Sequence, residues 1–454
     1  MKLSYFWAVG LLSIVFYTPA GHASALDAPQ QPVHHTKSQQ HLSSTRHTTA
    51  HRTTAHSGTA AHTSATHRTA STARTASARA ASHSSRARAS VRTSAAAGAA
   101  SAGARVRRVT LTRRHRYYER FTASSFVHGV IGEGDVTAGE DPVVRQAAID
   151  ALGDMNGTAL VINPSNGRIL AMVNQKLALS PGAEPCSTIK LTVALAALSE
   201  GLVTSDTMVQ LPGFKMNMTT ALAKSNNVYF ETIGRELGFE RVRHYATEFG
   251  LGELAGYHIE GEQLGTYPDQ PIPESEGGVG KMCSFGQGVS LTPLQLGAFV
   301  AAIANGGTLY YLQHPTTPEE VADFQPRIKR TLDIARFVPS LEDGMAGAVE
   351  YGTARSLRTN FRELPVFGKT GTCSDNGTRF GWFASYSESQ LGGLVTVFFL
   401  EGGRPTFGPR AAELTGEFYK NLWDRDYFAV KAQQAQAMPG VAPSAAATVA
   451  QPVQ

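Results

Sequence analysis

The segment TALVINPSNGRILAMVN, residues 158–174, decides the fold class of this chain. Thr158–Asn163 and Arg168–Asn174 are rich in apolar residues, and the sequence PSNG at 164–167 separates them. This pattern predicts a β-hairpin, because proline, asparagine and glycine favour the dihedral angles of a tight reversal. The hairpin is the first clear element of the folded part of the chain.

Helical and strand patterns follow the hairpin in separate blocks. A helix is predicted from Pro185 to Gly201, and residues 202–350 are expected to be mostly helix and loop. Strand candidates return later, and an amphipathic helix closes the domain. The strands are Val366–Thr372, Arg379–Ser385 and the apolar, central Leu394–Leu400, and the closing helix is Ala411–Trp423. This order predicts an α+β domain whose sheet is assembled from both ends of the segment.

The N-terminal part of the chain has the features of an exported protein. In residues 1–25, Lys2 precedes the apolar run Trp7–Tyr17, and the small residues Ala23–Ala25 offer a cleavage site, as in a secretory signal peptide. An uncleaved membrane anchor is the alternative. Both interpretations place the body of the protein in the periplasm or on the extracytoplasmic face of the inner membrane.

Residues 26–106 form a basic, low-complexity segment of His, Ser, Thr, Ala and Arg. No acidic residue occurs between Asp27 and Glu119, a stretch that contains Lys37 and fourteen arginines. The composition predicts a disordered tether that either contacts anionic lipid or cell-wall polymer or serves as a solvated spacer. We expect a short lead-in at 107–150, the folded domain at 151–430 and a disordered tail at 431–454.

The chain has three cysteines, Cys186, Cys283 and Cys373. An odd number does not describe a disulfide framework, and the chain lacks the C-x-x-C pair typical of zinc sites. We interpret all three as small buried hydrophobic side chains. One bridge is the alternative, because all three lie beside the motifs described next.

The first chemical motif is Ser187-Thr188-Ile189-Lys190, at the start of the predicted helix. Residues three apart lie on one helix face, so Lys190 can reach the hydroxyl of Ser187. A serine becomes a good nucleophile only when a neighbour takes its proton, and a lysine can do so only if its pKa is lowered. The first turn also offers free backbone N–H groups that stabilise negative charge.

Two further polar motifs follow in order. Ser225-Asn226-Asn227 could relay a proton and donate to a substrate amide, although Ser and Asn also form ordinary helix caps. Lys369-Thr370-Gly371 lies on a predicted strand, where a second cation would help to keep Lys190 neutral. Gly371 allows the backbone to approach an acyl group, and Thr370 and Thr372 offer hydroxyls to a substrate carboxylate.

The order S-x-x-K, S-x-N, K-T-G resembles the signature of the active-site serine penicilloyl enzymes. Several further segments resemble the high-molecular-weight penicillin-binding proteins. They are Phe285–Gly288, Leu291–Gln295, Ala304–Gly307, Tyr351–Ala354 and Gly381–Phe383. The resemblance covers about residues 150–425. It implies the penicillin-binding protein transpeptidase fold, similar to serine β-lactamases, in which an antiparallel sheet flanked by helices lies beside a helical subdomain.

The resemblance also implies roles for individual residues. Ser187 would attack the D-Ala-D-Ala carbonyl of a peptidoglycan stem peptide, with Lys190 as general base. Ser225 and Asn227 would assist the leaving group and place the substrate. Lys369, Thr370, Gly371 and Thr372 would bind the terminal carboxylate side, and the N–H groups of Ser187 and Thr372 would form the oxyanion hole. No metal or organic cofactor is implied, β-lactams would acylate the serine, and no nucleic-acid partner is expected.

Two departures from the family and three alternatives accompany this interpretation. The spacing between Ser187 and Ser225 is shorter than is usual in the family, and no glycosyltransferase module precedes the domain.

A D,D-carboxypeptidase or β-lactamase would use water as acceptor, although the Phe285–Gly288 loop favours transpeptidases. A penicillin-binding sensor or scaffold would be acylated without turnover. A wall-adhesive protein would act through its basic segment alone.

Overall fold

The computed structural model describes residues 121–387, 393–404 and 406–437. The predicted signal peptide and basic tether lie outside these ranges. The helices are α1 (Pro142–Leu152), α2 (Gln175–Ala178), α3 (Lys190–Ser199), α4 (Met218–Ala223), α5 (Asn227–Leu237), α6 (Phe239–Glu248), α7 (Gly278–Phe285), α8 (Pro293–Ala304), α9 (Pro318–Ala322), α10 (Val338–Glu350), α11 (Gly408–Trp423) and α12 (Tyr427–Ala437). Short 3₁₀ turns span Ala123–Ser125, Cys186–Ile189, Glu274–Glu276, Ala335–Phe337 and Arg355–Thr359.

The strands are β1 (Gly157–Ile162), β2 (Ile169–Val173), β3 (Val209–Leu211), β4 (Phe214–Met216), β5 (Thr308–Tyr310), β6 (Ile328–Thr331), β7 (Val366–Asp375), β8 (Thr378–Ser387) and β9 (Val395–Gly402). In the described residues the main sheet has five strands in the order β2-β1-β9-β8-β7, and every pairing is antiparallel. The predicted hairpin is confirmed as β1 and β2. The apolar strand predicted to be central is confirmed as β9, which joins the N-terminal hairpin to the C-terminal one.

Both faces of the main sheet are buried, and strand β9 shows why. Val395, Val397 and Phe399 belong to the hydrophobic core that contains α3 and α8, whereas Phe398 and Leu400 belong to the core on the opposite face with α1 and α11. Successive side chains of a strand point to opposite faces, so an uninterrupted apolar run fills both cores. This explains why β9 lacks the polar alternation of a half-exposed strand.

The region predicted as a separate lead-in is partly integrated into the domain. Helix α1 buries Val144, Ala148 and Leu152 in the same core as α11, and Asp141 caps its N-terminus by accepting from the N–H groups of Val143 and Val144. At the other end, α12 continues through Ala437, beyond the boundary at 430 predicted for the tail. The remaining predicted tail lies outside the described residues.

The elements that carry the predicted motifs meet at one edge of the sheet. Strand β7 is the edge strand and contains Lys369–Gly371. The 3₁₀ turn Cys186–Ile189 packs against β7 and against α7, and α7 in turn packs against α5. A cleft between an edge strand and a helical layer can therefore gather side chains that are far apart in sequence.

Candidate active site

Ser187 lies in the 3₁₀ turn Cys186–Ile189, which leads directly into α3. In such a turn, side chains three residues apart eclipse one another. Lys190 therefore projects over Ser187, as the motif predicted. Ser187 is only partly buried, whereas Lys190 is fully buried. The hydroxyl is accessible and the amine beside it is shielded from water.

The Lys190 side chain contacts three oxygen atoms. Its Nζ donates to Ser187 Oγ at 2.6 Å, to Asn227 Oδ1 at 2.8 Å and to the carbonyl oxygen of Ser284 at 2.6 Å. These contacts fix the amine against the serine hydroxyl. Asn227 and the Ser284 carbonyl thus orient Lys190, so that little motion is needed for proton transfer.

The surroundings of Lys190 favour its uncharged form. Burial is the largest cause that lowers the pKa of Lys190 well below its ordinary value, the charge of Lys369 lowers it further, and Glu231 opposes both. An uncharged amine has a lone pair that can accept the proton of the Ser187 hydroxyl. The pair therefore has the geometry that nucleophile activation requires, in surroundings that shift Lys190 towards its uncharged form.

The Ser225–Asn227 segment connects α4 to α5 in an unusual backbone conformation. Ser225 has a φ of +53°, in the left-handed region. Asn226 is the N-cap of α5, and its Oδ1 accepts from the N–H of Tyr229 at 2.9 Å. The helix-cap interpretation of this motif is therefore correct for Asn226, while Ser225 and Asn227 contact the two lysines. The short spacing from Ser187 still brings Ser225 into the cleft.

Lys369 is the second buried lysine of the site. Its Nζ donates to Ser225 Oγ at 2.8 Å and to the carbonyl oxygen of Thr370 at 3.0 Å. Burial lowers the pKa of Lys369 to about 7. Ser225 thus lies in contact with a lysine that can hold or release a proton near neutral pH, which is the property needed of a proton relay.

Successive side chains of β7 point to opposite faces of the sheet. Lys369, Gly371 and Cys373 share one face, and a β-carbon on Gly371 would lie 2.9 Å from the carbonyl oxygen of Pro185. Glycine is therefore needed for the strand to approach the serine turn. Thr370 and Thr372 lie on the other face, where Thr372 Oγ1 accepts from the N–H of Gly408 at 2.9 Å.

The cysteines differ from their predicted state. Cys186 and Cys373 form a disulfide with a Cα–Cα distance of 5.5 Å, and Cys283 is free and buried. The interpretation of all three as buried hydrophobic side chains is wrong for this pair and correct for Cys283. The sequence could not choose the pair, because it does not show that the serine turn packs against the end of β7.

Some residues of the site were not predicted. The Ser284 carbonyl at the end of α7 accepts from Lys190, and the rings of Phe230 and Phe285 each have their centroid 5.8 Å from Lys190 Nζ. A backbone carbonyl has no sequence signature. Phe285 belongs to a segment that resembles the penicillin-binding proteins, but its position in the sequence does not indicate a contact with the lysine.

A basic cavity of about 660 Å³ lies next to the K-T-G strand. Thr353 and Arg355 line it, and Thr353 Oγ1 is 2.6 Å from Thr370 Oγ1. Arg358, in the same wall, is paired with Glu350 at 2.7 Å, whereas no ion pair joins Arg355 to a described residue. Arg355 thus lines the same cavity as Thr353, whose hydroxyl contacts the threonine predicted to bind a carboxylate.

A second cavity, of about 490 Å³, lies on the disulfide side of the site. Its lining residues are Glu184, Lys281, Phe285, Gln287, Thr372, Cys373, Ser374 and Asp375. The cavity adjoins Thr372, which follows the K-T-G motif, and Cys373, which is bridged to the residue before Ser187.

In residues 121–387, 393–404 and 406–437, no group of three or more His, Cys, Asp or Glu side chains is placed to hold a metal ion. No helix in the same ranges combines the length and the apolar character needed to cross a bilayer.

The antiparallel sheet, its helical layers and the serine–lysine pair at the edge strand define an α+β protein of the penicillin-binding protein and serine β-lactamase type. A family model described as the penicillin binding protein transpeptidase domain matches residues 157–420. The match covers more than half of the chain, so the chain belongs to this family. The predicted family and fold are confirmed.

Comparisons with curated proteins agree with this family. The chain is 29% identical over 256 residues to penicillin-binding protein PbpB of Mycolicibacterium smegmatis, which is 48% of this chain and 37% of that protein. It is 29% identical over 258 residues to stage V sporulation protein D of Bacillus subtilis, which is 47% of this chain and 39% of that protein. It is 24% identical over 349 residues to peptidoglycan D,D-transpeptidase MrdA of Acinetobacter baumannii, which is 61% of this chain and 51% of that protein. The matches thus span between about a third and a half of these relatives.

One solved structure shows the same fold. A chain from the structure titled "Structural coordination of polymerization and crosslinking by a peptidoglycan synthase complex" superposes with a TM-score of 0.50 at 23% identity, covering 63% of this chain and 61% of that one. At this identity the likeness supports the fold alone.

Proposed function

We propose that this protein is a D,D-transpeptidase that crosslinks peptidoglycan stem peptides through an acyl-enzyme on Ser187. The observation that carries the proposal is the 2.6 Å contact between Lys190 Nζ and Ser187 Oγ, in an environment that lowers the pKa of the lysine. Membership of the transpeptidase family supports the choice of substrate. The names of several relatives, such as the peptidoglycan D,D-transpeptidase of Acinetobacter baumannii, agree with it.

In the acylation half-reaction, Lys190 accepts the hydroxyl proton as Ser187 Oγ attacks the carbonyl carbon between the two D-alanines. The N–H groups of Ser187 and Thr372 stabilise the tetrahedral oxyanion, and each such donor lowers a barrier by about 3 kcal/mol. The C–N bond then breaks and terminal D-alanine leaves as an amine. Ser225, which contacts Lys369, delivers a proton to that amine.

In the second half-reaction, an amine of another stem peptide attacks the acyl-enzyme. Its nitrogen loses a proton through the same Ser225 and Lys369 contact, a new amide bond forms, and Ser187 recovers its proton from Lys190. β-Lactams carry a strained amide that Ser187 opens in the first half-reaction. The resulting ester remains on the serine because no efficient acceptor reaches it.

A peptide assay tests this function. We expect the purified chain to convert a stem pentapeptide ending in D-Ala-D-Ala, in the presence of an acceptor peptide with a free side-chain amine, into a crosslinked product and free D-alanine. Mass spectrometry quantifies both products. Hydrolysis to the tetrapeptide without crosslinked product, at all acceptor concentrations, would instead identify a carboxypeptidase.

The basic cavity leads to a specificity prediction. We expect Arg355→Ala to lower the rate of acylation by benzylpenicillin about tenfold, because hydrogen bonds between ionised groups contribute about 1.5–3 kcal/mol. Acylation by the methyl ester of the same penicillin should change little. Arg362→Ala is the matched control, because Arg362 lines the same cavity but its Nε donates to the carbonyl oxygen of Arg358. Equal losses with acid and ester would show that Arg355 does not bind the carboxylate.

We also propose that the protein acts outside the cytoplasm, tethered by its basic segment to anionic cell-wall polymer or lipid. The disulfide between Cys186 and Cys373 supports an oxidising compartment, since cytosolic thiols are kept reduced. The arginine-rich composition of residues 26–106 supports attraction to anionic polymers.

A further inference from the structure

We propose that the Cys186–Cys373 disulfide positions the two oxyanion-hole donors, so that acylation of Ser187 is fast in the oxidised protein and slow after reduction by a small dithiol. This inference rests on the function proposed above. It assigns Cys186 and Cys373 as positioning residues, which act through the backbone of their neighbours and do not touch the substrate.

The connectivity of the bridge is the first argument. Cys186 immediately precedes Ser187, and Cys373 immediately follows Thr372, so each proposed N–H donor is one residue from a bridged cysteine. The two cysteines are 187 residues apart in sequence, and their Cα atoms are 5.5 Å apart. One covalent link therefore sets the separation between the serine turn and the end of β7.

The position of Thr372 explains why such a link matters. β7 is the edge strand of the sheet, paired on one side only with β8. The face of β7 that carries Lys369, Gly371 and Cys373 packs against the 3₁₀ turn Cys186–Ile189, with a close approach at Gly371. Without a strand ladder at this junction, no backbone hydrogen bond between these described residues fixes the distance between the two donors once the disulfide opens.

Non-covalent contacts at the junction would survive reduction. The indole Nε1 of Trp382 donates to the carbonyl oxygen of Glu184 at 3.0 Å, and Thr188 Oγ1 donates to the carbonyl oxygen of Pro185 at 2.6 Å. The first contact ties the segment before the serine turn to β8, and the second closes the turn itself, while Lys190 keeps its own contacts with Ser187, Asn227 and Ser284. None of these contacts involves Thr372 or Cys373, so reduction should loosen the oxyanion hole and leave the serine–lysine pair and the fold in place.

The backbone at Cys186 gives an independent argument. Its φ is +52°, in the left-handed region that glycine adopts freely and that disfavours residues with a β-carbon. A cysteine at such a position is explained by its sulfur, which reaches Cys373, rather than by its backbone preference. Glycine at 186 would keep the turn and remove the bridge, which makes it the informative substitution.

The bridge is also accessible to a reductant from one side. Cys186 is fully buried, but Cys373 is only partly buried and lines the cavity of about 490 Å³ beside Thr372. A dithiol thiolate can attack the Cys373 sulfur, which breaks the protein S–S bond and releases the Cys186 thiolate. The second thiol of the reagent then closes its own cyclic disulfide, so two electrons and two protons pass to the protein. Glu184 and Asp375 line the same cavity, so an uncharged dithiol is a better reagent than an anionic thiol.

The test compares oxidised and dithiothreitol-reduced full-length protein. Thiol titration under denaturing conditions should give one free thiol before reduction, from Cys283, and three after it. Stopped-flow acylation by a fluorescent penicillin separates the non-covalent binding constant from the acylation rate constant. We expect reduction to lower the rate constant about tenfold to a hundredfold, as expected for small misplacement of reacting groups. Binding and the pH at which the rate is half-maximal should stay unchanged.

Two variants provide matched controls. The double variant Cys186→Gly, Cys373→Ser should show the slow rate constant with and without dithiothreitol. Cys283→Ala should retain the fast rate constant and its response to the reductant, because Cys283 is outside the bridge. Circular dichroism and thermal melting establish that each sample is folded.

The outcomes separate this inference from the proposed function. Equal acylation rate constants in oxidised and reduced protein, or three free thiols in the oxidised protein, would overturn the inference while leaving Ser187 as nucleophile. A parallel change in binding, rate constant and pH profile would show a general structural role and would also overturn it. No acylation in either state would reject the proposed function and the inference with it.

Discussion

Replacing Ser187 with alanine is expected to abolish covalent labelling by penicillin, because the acyl group then has no oxygen to which it can attach. The substitution removes one hydroxyl from a partly buried position and leaves the 3₁₀ turn intact, so the fold should be retained. The measurement is the mass of the intact protein after incubation with benzylpenicillin. The unsubstituted protein should gain the mass of one penicillin, and the variant should gain none.

Ser180→Ala is a suitable control for this experiment. Ser180 is close in sequence and half-buried, and it lines a neighbouring groove without contacting either lysine. Its variant should be labelled at the normal rate. If Ser187→Ala still gained one penicillin per chain, another residue would be the nucleophile and the proposed mechanism would be wrong.

Lys190→Met is expected to slow acylation by about 10²- to 10⁴-fold, the range that a general base contributes. Methionine fills similar space but cannot accept the hydroxyl proton. Because the partly buried Asn227 Oδ1 and the buried Ser284 carbonyl lose their donor, some stability should be lost as well. Lys224→Met is the control, since Lys224 is exposed and adjacent to Ser225. A rate within about threefold of normal for Lys190→Met would exclude Lys190 as the base.

The role of Lys190 as general base predicts how the acylation rate depends on pH. The reactive form is neutral Lys190, whose fraction rises with pH, so the rate should fall as pH is lowered through the pKa of the lysine. Burial and then the charge of Lys369 hold that pKa below its ordinary value. Lys369→Met removes the second cause, and we expect the acid limb of the profile to move to higher pH. If the acid limb of the pH–rate profile stayed in place or moved to lower pH, the charge of Lys369 would not influence the pKa of Lys190.

The sequence predicted the sheet well because its signals are local. The PSNG turn and the apolar β9 run depend on turn chemistry and on hydrophobic pattern, and both were placed within a few residues. Helix α1 was missed as part of the domain because its burial depends on packing against α11, a distant element. The end of α12 was missed because an alanine- and glutamine-rich segment has no distinct stop signal.

The three motifs predicted which side chains meet in the cleft, but not how each is held there. Hydrogen bonds of 2.6 and 2.8 Å join Lys190 to Ser187 and Asn227, and one of 2.8 Å joins Lys369 to Ser225. The Ser284 carbonyl, the Thr353–Thr370 contact and the choice of disulfide partners all depend on tertiary packing between α7, the Arg355–Thr359 turn and β7. Spacing along the chain contains no information about these contacts.

The position of the penicilloyl group tests the central claim most directly. After labelling, reduction and tryptic digestion, the peptide LALSPGAEPCSTIK, residues 177–190, contains Ser180, Ser187 and Thr188 as the hydroxyl side chains. Fragmentation by tandem mass spectrometry distinguishes them. The proposed mechanism predicts the full adduct mass on Ser187 and none on Ser180 or Thr188. An adduct on another residue, or an unlabelled protein after prolonged incubation at neutral pH, would contradict it.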